Sequence, residues 1–472
     1  MERGKKNVIP WIIVALPVVC AMVLQAGWSF EGLYGQDAHD YLHQAKDQHA
    51  WFLGGARPEA SSHPQLYPLL GAVLGLLTGD LFALRLISIG SLIAIAMIVR
   101  KELAARGGDQ RIVDAYVLIA LIASPFMLRQ AMFAMSDLLC LLFIMLAYRM
   151  AMRFRDDGKN RRTFGVALCA GAALATRFAA APLLIAIGAH VLISTIRQRA
   201  WKAALAGLAG KALLAVAILV VIGRAGEGSV RHPWLIDWSI RNFIARSFDT
   251  LDGYASYAWP NVVHALFPFF HPGFLLIGAL LLFFVRKEDV HVRGASLALV
   301  MFALYWIFMS GMPYQNDRFL LLVQPIVAIL LFPACTRAWN LLADRSALRS
   351  ALMVSLLFAQ IALFAYSTRT FIRLARTERE LSAMLRPYAD RTIYQFSLGP
   401  AIATYGFEGN VIDLWKGPID RFDPHAVLLF NPTAFAKQWA GKNPMLNYVG
   451  AMRLRPRTIE RRADGWELYE LP

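Results

Sequence analysis

Long apolar runs separated by short basic segments dominate the first 370 residues. A helix that crosses a bilayer needs about 20 apolar residues, because it rises about 1.5 Å per residue through a core about 30 Å thick. The pattern therefore predicts about eleven membrane-spanning helices. The predicted spans are 8–27, 82–100, 112–128, 132–152, 163–176, 177–196, 204–222, 268–285, 295–311, 319–339 and 350–368.

The apolar run from Thr163 to Thr195 is too long for one span. As a single helix it would measure about 50 Å, against about 30 Å of hydrocarbon. Two helices that break near Arg177 place the basic loops on one side of the membrane, as the positive-inside rule requires. We therefore predict a cytoplasmic N-terminus. The long loops 28–80 and 223–267 then face outward, which is the periplasm for a bacterial inner membrane.

The chain changes character after about residue 385. The segments "RTIYQFS", "NVIDLW", "HAVLLFNP" and "GWELYEL" read as short strands bounded by turn residues, and "TAFAKQWAG" reads as a short helix. We predict a mainly α, polytopic helical membrane protein with a small C-terminal α/β extramembrane domain. The membrane module covers 1–370, and the periplasmic domain covers 385–472. Between them, "RTFIRLARTERE" (369–380) is predicted to lie on lipid headgroups as an amphipathic helix.

Composition agrees with a membrane protein and excludes two other classes. The chain is 57% hydrophobic and 17% charged, whereas soluble domains carry about 25% charged residues. The net charge of +16 comes from loops that orient the spans, so it does not indicate nucleic-acid binding. The sequence contains neither GxxxxGK[ST] nor GxGxxG, the motifs that bind nucleotide phosphates. The four cysteines lie in apolar runs, without metal-ligand spacing.

Ionisable residues follow the first predicted span in "GQDAHDYLHQAKDQHAWFL". Its apolar positions have helical spacing, which predicts an amphipathic helix with Asp37 near the N-terminus and Asp40 on its surface. The alternative is that Asp37 only caps this helix and that Asp40 and His43 form a solvated face. The next segment, "HPQLYPLL", predicts a short helix with His63 and Tyr67 on one face.

Further charged residues fall at the same end of the predicted bundle. Ionisable residues at membrane depth indicate a functional site by default, although single charges can also be structural. Arginines beside carboxylates suit a phosphate held by charge-assisted hydrogen bonds, with a base nearby. The candidates that converge with Asp37 are Arg129, Asp137, Arg177, Asn316, Asp317 and Arg318. Asp40, His63 and Tyr67 are further candidate substrate-binding residues.

Three segments give the chain a family resemblance. "GQDAHDYLHQAK", "SHPQLYPLLGAVLGLLTGDLFALRL" and "YQNDRFLLLVQPIVAILL" are similar to segments of GT-C glycosyltransferases. The branch resembled holds the protein O-mannosyltransferases and the aminoarabinose transferases that modify lipid A. The layout matches over about residues 1–370. One departure is that many members carry adjacent carboxylates in the first loop, whereas here Asp37 is followed by Ala38 and the next acidic residue is Asp40.

The resemblance implies an inverting sugar transfer on the outer face. The donor would be a sugar on a polyprenyl phosphate, and the acceptor a hydroxyl of a lipid, glycan or protein. Asp37 would be the general base, and Arg318 the favoured phosphate contact, ahead of Arg129 and Arg177. Asp137 could orient a substrate or share a divalent metal ion with Asp37. The aromatic-rich loop 223–267 could stack on a sugar, or form an interfacial belt.

Two other functions compete with this interpretation. A flippase or transporter of a lipid-linked saccharide would also be polytopic and arginine-lined, but it should show charges in mid-membrane and symmetry between its halves. A receptor-like protein would use its tail to bind a partner.

Overall fold

Helices form most of the computed structural model, which describes residues 8–58, 63–198, 237–250 and 252–472. Buried apolar side chains from nearly all of these helices meet in one continuous core. In chain order the helices of the bundle are α1 (Ile9–Trp28), α2 (Gly35–Phe52), α3 (Leu66–Thr78), α4 (Asp80–Ala104), α5 (Gln110–Val117), α6 (Pro125–Ala131), α7 (Asp137–Asp157), α8 (Asn160–Leu174), α9 (Ala181–Gln198), α10 (Asn261–His264), α11 (Phe267–Phe270), α12 (Gly278–Leu282), α13 (Ala295–Ser310), α14 (Asp317–Asn340) and α15 (Ser346–Leu385).

The described residues contain 5 helices that are long and apolar enough to cross a membrane, or 6 if one bent pair counts as a span. They are α1, α4, the helix that ends as α9, α14 and α15. These helices make the chain a multi-pass membrane protein. The predicted count of about eleven is not confirmed, and the predicted span 204–222 lies outside the described residues. The orientation of the N-terminus stays a prediction.

The predicted break near Arg177 is confirmed. α8 ends at Leu174, and Arg177 has the extended backbone angles φ −159° and ψ 130°. A 3-10 turn, Phe178–Ala180, then leads into α9. The long apolar run is therefore two helices, and the arginine lies at the turn between them.

The predicted span 112–128 is bent. α5 continues through a π-helical turn, Leu118–Ile122, and α6 leaves it at an angle of 66°. Pro125 starts α6, and both a π-turn and a proline are recognised causes of sharp helix bends. The bend matters for function because α6 carries Arg129 and Gln130.

Two predicted elements in the second half of the chain are wrong. The predicted span 268–285 is not one helix but the short helices α11 and α12, and Pro272 lies in the break between them. The segment 369–380 is not a separate helix on headgroups. It continues the last predicted span without a break, because α15 runs for 40 residues and contains no internal proline or glycine.

The C-terminal strands are confirmed and form one mixed sheet. Its strands are β3 (Ile393–Gln395), β4 (Val411–Asp413), β5 (Val427–Phe430), β6 (Arg457–Arg461) and β7 (Glu467–Glu470), in the order β4-β3-β5-β7-β6. β3 pairs in parallel with β4 and β5, whereas β7 pairs antiparallel with β5 and β6. The central strand β5 is buried along its length, as expected for the run Val-Leu-Leu-Phe.

Short helices cover this sheet and complete a small α/β region. They are α16 (Gly399–Thr404), α17 (Pro432–Phe435) and α18 (Asn443–Arg453). Only the first residues of "TAFAKQWAG" are helical, within α17. α15 crosses the proposed domain boundary at 370–385 without a break, so the two-domain division stays a prediction.

The described part of loop 223–267 contains a hairpin, β1 (Ser247–Thr250) and β2 (Gly253–Ser256). The hairpin docks on the C-terminal region, since the Tyr254 N–H donates to the Gln438 carbonyl at 2.6 Å and Lys442 pairs with Asp249 at 2.7 Å. Trp238 instead packs on the bundle, with its indole N–H donating to the Phe308 carbonyl at 2.9 Å. Residues 223–236 of this loop lie outside the described residues.

Candidate active site

Two contacts fix the first turn of α2, which carries Asp37. The backbone N–H of Gly35 donates to Oε1 of Glu378 at 2.8 Å, so a carboxylate from α15 satisfies one of the free amides of this helix end. The same Glu378 lies 3.3 Å from His39, one turn further along α2. The N-cap residue of α2 is Tyr34, and the Asp37 carboxylate accepts a hydrogen bond from Arg318 instead. That carboxylate is therefore available for contacts with other helices. The structure does not support the interpretation that Asp37 only caps α2.

The loop before α2 is tied to the segment before α7. Gly32 has φ +82°, and a Cβ there would lie 2.5 Å from the Met132 carbonyl oxygen, so only glycine fits without a shift. The carbonyl of Gly32 accepts a hydrogen bond from the Ala134 N–H at 3.0 Å. This close approach brings Asp37 and Asp137 to the same end of the bundle.

Two carboxylates and two guanidiniums form a chain of ion pairs, called here the carboxylate bridge: Asp37, Arg318, Asp137 and Arg177. Arg318 donates to Asp37 Oδ2 at 2.8 Å and to Asp137 Oδ2 at 3.2 Å, so one guanidinium spans both carboxylates. Arg177 pairs with the other oxygen of Asp137 at 2.7 Å. Residues from α2, α7, α14 and the α8–α9 turn thus meet, as the sequence predicted for all four.

The two carboxylates of the bridge differ in exposure. The Asp137 side chain is 1% exposed and also accepts a hydrogen bond from Gln130 at 2.7 Å. The Asp37 side chain is 38% exposed. Asp137 is therefore an internal anchor for the arginines, whereas Asp37 is the carboxylate that a substrate can reach.

Electrostatics keep Asp37 ionised. Burial raises the pKa of its carboxyl, but the charge of Arg318, supported by His63 and Arg177, outweighs burial and leaves the pKa below its usual value. Near neutral pH the group is a carboxylate, which is the form that can accept a proton.

Arg129 is held in a different way, in an aromatic clamp formed by Phe126 and Phe371. Its guanidinium carbon lies 4.3 Å from the centre of the Phe126 ring and 4.9 Å from that of Phe371. Arg129 is 9% exposed, and no carboxylate of the described residues lies within 4.0 Å of its nitrogens. Its Nε is buried without a hydrogen-bond partner among those residues. Asp317 attracts this charge only from beyond ion-pair distance, and Arg129 is next in sequence to Gln130, which contacts the bridge.

The other predicted site residues lie around the bridge. Asp40 and His63 face each other at 3.7 Å, both partly exposed. Asn316 caps α14 by accepting a hydrogen bond from the Arg318 N–H at 3.0 Å. Asp317 pairs with His264 at 3.3 Å.

Tyr67 is 0% exposed and its hydroxyl donates to the Leu84 carbonyl at 3.0 Å, so the structure does not bring that hydroxyl to the carboxylates.

Three residues that sequence reasoning missed complete the site: Gln130, Tyr34 and Glu378. Gln130 follows Arg129 directly, and a second polar residue in an apolar run was a usable signal. Tyr34 packs against Phe371 at 4.6 Å between ring centres, and burial raises the pKa of its hydroxyl to about 12 despite the charges of Arg318 and Arg129. Glu378 gave no such signal, because it contacts α2 across 343 positions.

A metal ion shared by Asp37 and Asp137 does not fit this arrangement. The guanidinium of Arg318 occupies the position between the two carboxylates. No group of three or more His, Cys, Asp or Glu side chains suited to a metal occurs in the parts of the chain that the structure describes.

Two solved structures are similar to the chain over nearly its whole length. One is ArnT from Cupriavidus metallidurans in the apo state, a lipid A aminoarabinose transferase, with 16% identity, a TM-score of 0.57 and 97% of each chain covered. The other is the same protein bound to undecaprenyl phosphate, with 16% identity, a TM-score of 0.55 and 98% of each chain covered. No family model and no curated protein matches the sequence. At this identity the likeness shows the fold, which is the predicted GT-C type.

Proposed function

We propose that the chain is a membrane glycosyltransferase of the bacterial inner membrane. It transfers a sugar from a polyprenyl phosphate to a hydroxyl of a lipid, glycan or protein acceptor on the periplasmic face. The acceptor oxygen attacks the anomeric carbon and gives its proton to Asp37. The bond from that carbon to the phosphate oxygen breaks, the lipid phosphate leaves with the electron pair, and the configuration inverts.

The observation that carries this proposal is the partly exposed Asp37 carboxylate, held by Arg318 in a membrane bundle with the fold of ArnT. A positioned carboxylate supports general base catalysis, which contributes about 10²- to 10⁴-fold to a rate. The undecaprenyl phosphate bound by the neighbouring ArnT structure supports a lipid phosphate as the donor's leaving group.

Arg129 is a better phosphate ligand than Arg318, although the family resemblance favours Arg318 as the phosphate contact. Arg318 already balances two carboxylates, whereas Arg129 has none within ion-pair distance among the described residues. Within the bridge two guanidiniums meet two carboxylates, whereas Arg129 has no described carboxylate within 4.0 Å, so its charge is the one available to an incoming anion. Arg129 then stabilises the charge that develops on the leaving phosphate, while Arg318 keeps Asp37 ionised and oriented.

The test is the Asp37→Asn variant with undecaprenyl-phosphate sugars as donors and a membrane extract as the source of acceptor. Release of undecaprenyl phosphate, measured by mass spectrometry, should fall about 10²-fold or more, because asparagine cannot take the proton. Donor binding should persist, since the variant leaves Arg129 in place.

Asp47→Asn is the matched control, because Asp47 lies on the same helix and is exposed. It should release lipid phosphate at the wild-type rate. Release at that rate by Asp37→Asn would remove Asp37 from its role. Activity in detergent solution also separates this function from a flippase, since transport has no readout without a sealed membrane.

A further inference from the structure

A cleft of about 940 Å³ opens on the side of α2 away from the carboxylate bridge. Its walls are the second half of α1, the first half of α4, α2 and the residues that end α16. Lys46, which lines the cleft, follows Asp37 by nine positions, and at about 100° per residue the two side chains leave α2 about 180° apart. The cleft is therefore separate from the proposed catalytic centre.

The cleft is polar at one end and apolar at the other. Gln25, Lys46 and Arg85 lie at the end of the bundle where α1 stops and α4 starts. Val18 and Ile89 line it deeper, about 10 Å and 6 Å further along α1 and α4. Such a gradient along membrane-spanning helices matches a lipid, with its headgroup at the interface and its chains beside the helices.

Both carboxylates of the cleft have a close partner. Glu31 lies 3.8 Å from Arg379, and Asp80 accepts a hydrogen bond from the His49 ring at 2.8 Å.

The two cations of the cleft have no carboxylate within ion-pair distance among the described residues. Arg85 donates to the neutral amide of Gln25 at 2.7 Å, and its Nε is buried without a partner. Glu31 attracts Arg85 only from beyond ion-pair distance. Lys46 is exposed and forms no ion pair within the described residues. The unmatched charge thus suits a phosphate.

We propose that this cleft binds an anionic glycerophospholipid of the bilayer. Its phosphate contacts Arg85 and Lys46, and an acyl chain packs along α1 and α4. The lipid also touches Thr404 at the end of α16, so one molecule contacts the bundle, α2 and the C-terminal region. This lipid is distinct from the sugar donor, and the proposal does not depend on the proposed function.

The experiment uses the purified full chain, delipidated in detergent and titrated with phosphatidylglycerol under native mass spectrometry. One phosphatidylglycerol should bind, and Arg85→Gln with Lys46→Gln should raise its Kd about tenfold, since charge-assisted hydrogen bonds are lost. Leu86→Trp, which fills the apolar wall, should weaken binding as well. The control pair Lys101→Gln with Arg153→Gln removes two cations at the other end of the bundle and should leave this Kd unchanged.

Three results would overturn the proposal: equal binding of uncharged diacylglycerol, an unchanged Kd in the Arg85 and Lys46 variant, or displacement by undecaprenyl phosphate at equal concentration. A second measurement needs no variant. Phosphatidylglycerol with a photoreactive acyl chain should label peptides containing residues 18–26 and 81–89 of the wild-type protein. Labelling confined to other helices would contradict the site, even if the variants failed to fold.

Discussion

The carboxylate bridge and the aromatic clamp hold their arginines in opposite ways. Arg318 and Arg177 lie against Asp37 and Asp137, so their charges are balanced inside the protein. Arg129 lies between aromatic rings, which accept a cation but do not neutralise it. Charge without a carboxylate partner, rather than the number of arginines, therefore indicates where an anion can bind.

The largest effect should come from breaking the bridge at its buried member. Asp137→Asn leaves Arg318 with Asp37 but removes the carboxylate partner of Arg177, and leaving that buried cation unpaired costs about 3 kcal/mol or more of stability. The melting temperature in a fixed detergent should fall markedly. Asp317→Asn, whose side chain is 38% exposed with one His264 partner, should change stability by less than about 1 kcal/mol. Equal losses in the two variants would contradict the assignment of Asp137 as the internal anchor.

The next effect separates the two arginine environments directly. Arg129→Gln should raise the donor KM about tenfold to a hundredfold, because a phosphate loses a charge-assisted contact. The fold should be little affected, since no carboxylate is left unpaired. Arg318→Gln should lower kcat more than it raises the donor KM. Steady-state kinetics at varied donor concentration measure kcat and the donor KM. The reverse pattern would indicate that Arg318 binds the phosphate.

A smaller effect is expected where α15 positions α2. Glu378→Ala removes the acceptor of the Gly35 N–H and the partner of His39, so the first turn of α2 should loosen. We expect about tenfold lower kcat with an unchanged donor KM, and faster amide hydrogen exchange over residues 35–41. Glu380→Ala, two residues on with a half-exposed side chain, is the control. Equal exchange in both variants would show that Glu378 does not position Asp37.

The finest test is the pH dependence of kcat/KM. Catalysis needs the Asp37 carboxylate, whose pKa lies below its usual value because the charge of Arg318 outweighs burial. Activity should therefore persist to lower pH than an ordinary carboxyl allows, and it should fall as Asp37 is protonated. In Arg318→Gln the opposing charge is gone, so the acid limb should move to higher pH. An acid limb at the same pH in both proteins would show that another group controls it.

Local signals predicted much of this molecule. The Arg177 break followed from the length of one apolar run, and β5 followed from four consecutive apolar residues. All four residues of the carboxylate bridge were predicted, because each is a charge placed at the same end of the bundle by the threading. These features depend on nearby sequence and on the thickness of the bilayer.

The remainder depends on contacts between distant parts of the chain. Which arginine meets a carboxylate could not be predicted, since Arg129 and Arg318 look alike in sequence. The capping of α2 by Glu378 joins residues 343 positions apart. The continuity of α15 differs from the prediction because a basic segment that follows an apolar one can belong to the same helix.

The length of α15 sets the position of Glu378 relative to the membrane. Its 40 residues extend about 60 Å, roughly twice the hydrocarbon thickness. Each added residue upstream of Glu378 would advance that side chain by about 1.5 Å and rotate it by about 100°. An insertion in the middle of this helix, far from any substrate, would thus turn Glu378 away from α2. The number of residues between the membrane and Glu378 is as closely constrained as the identity of Glu378 itself.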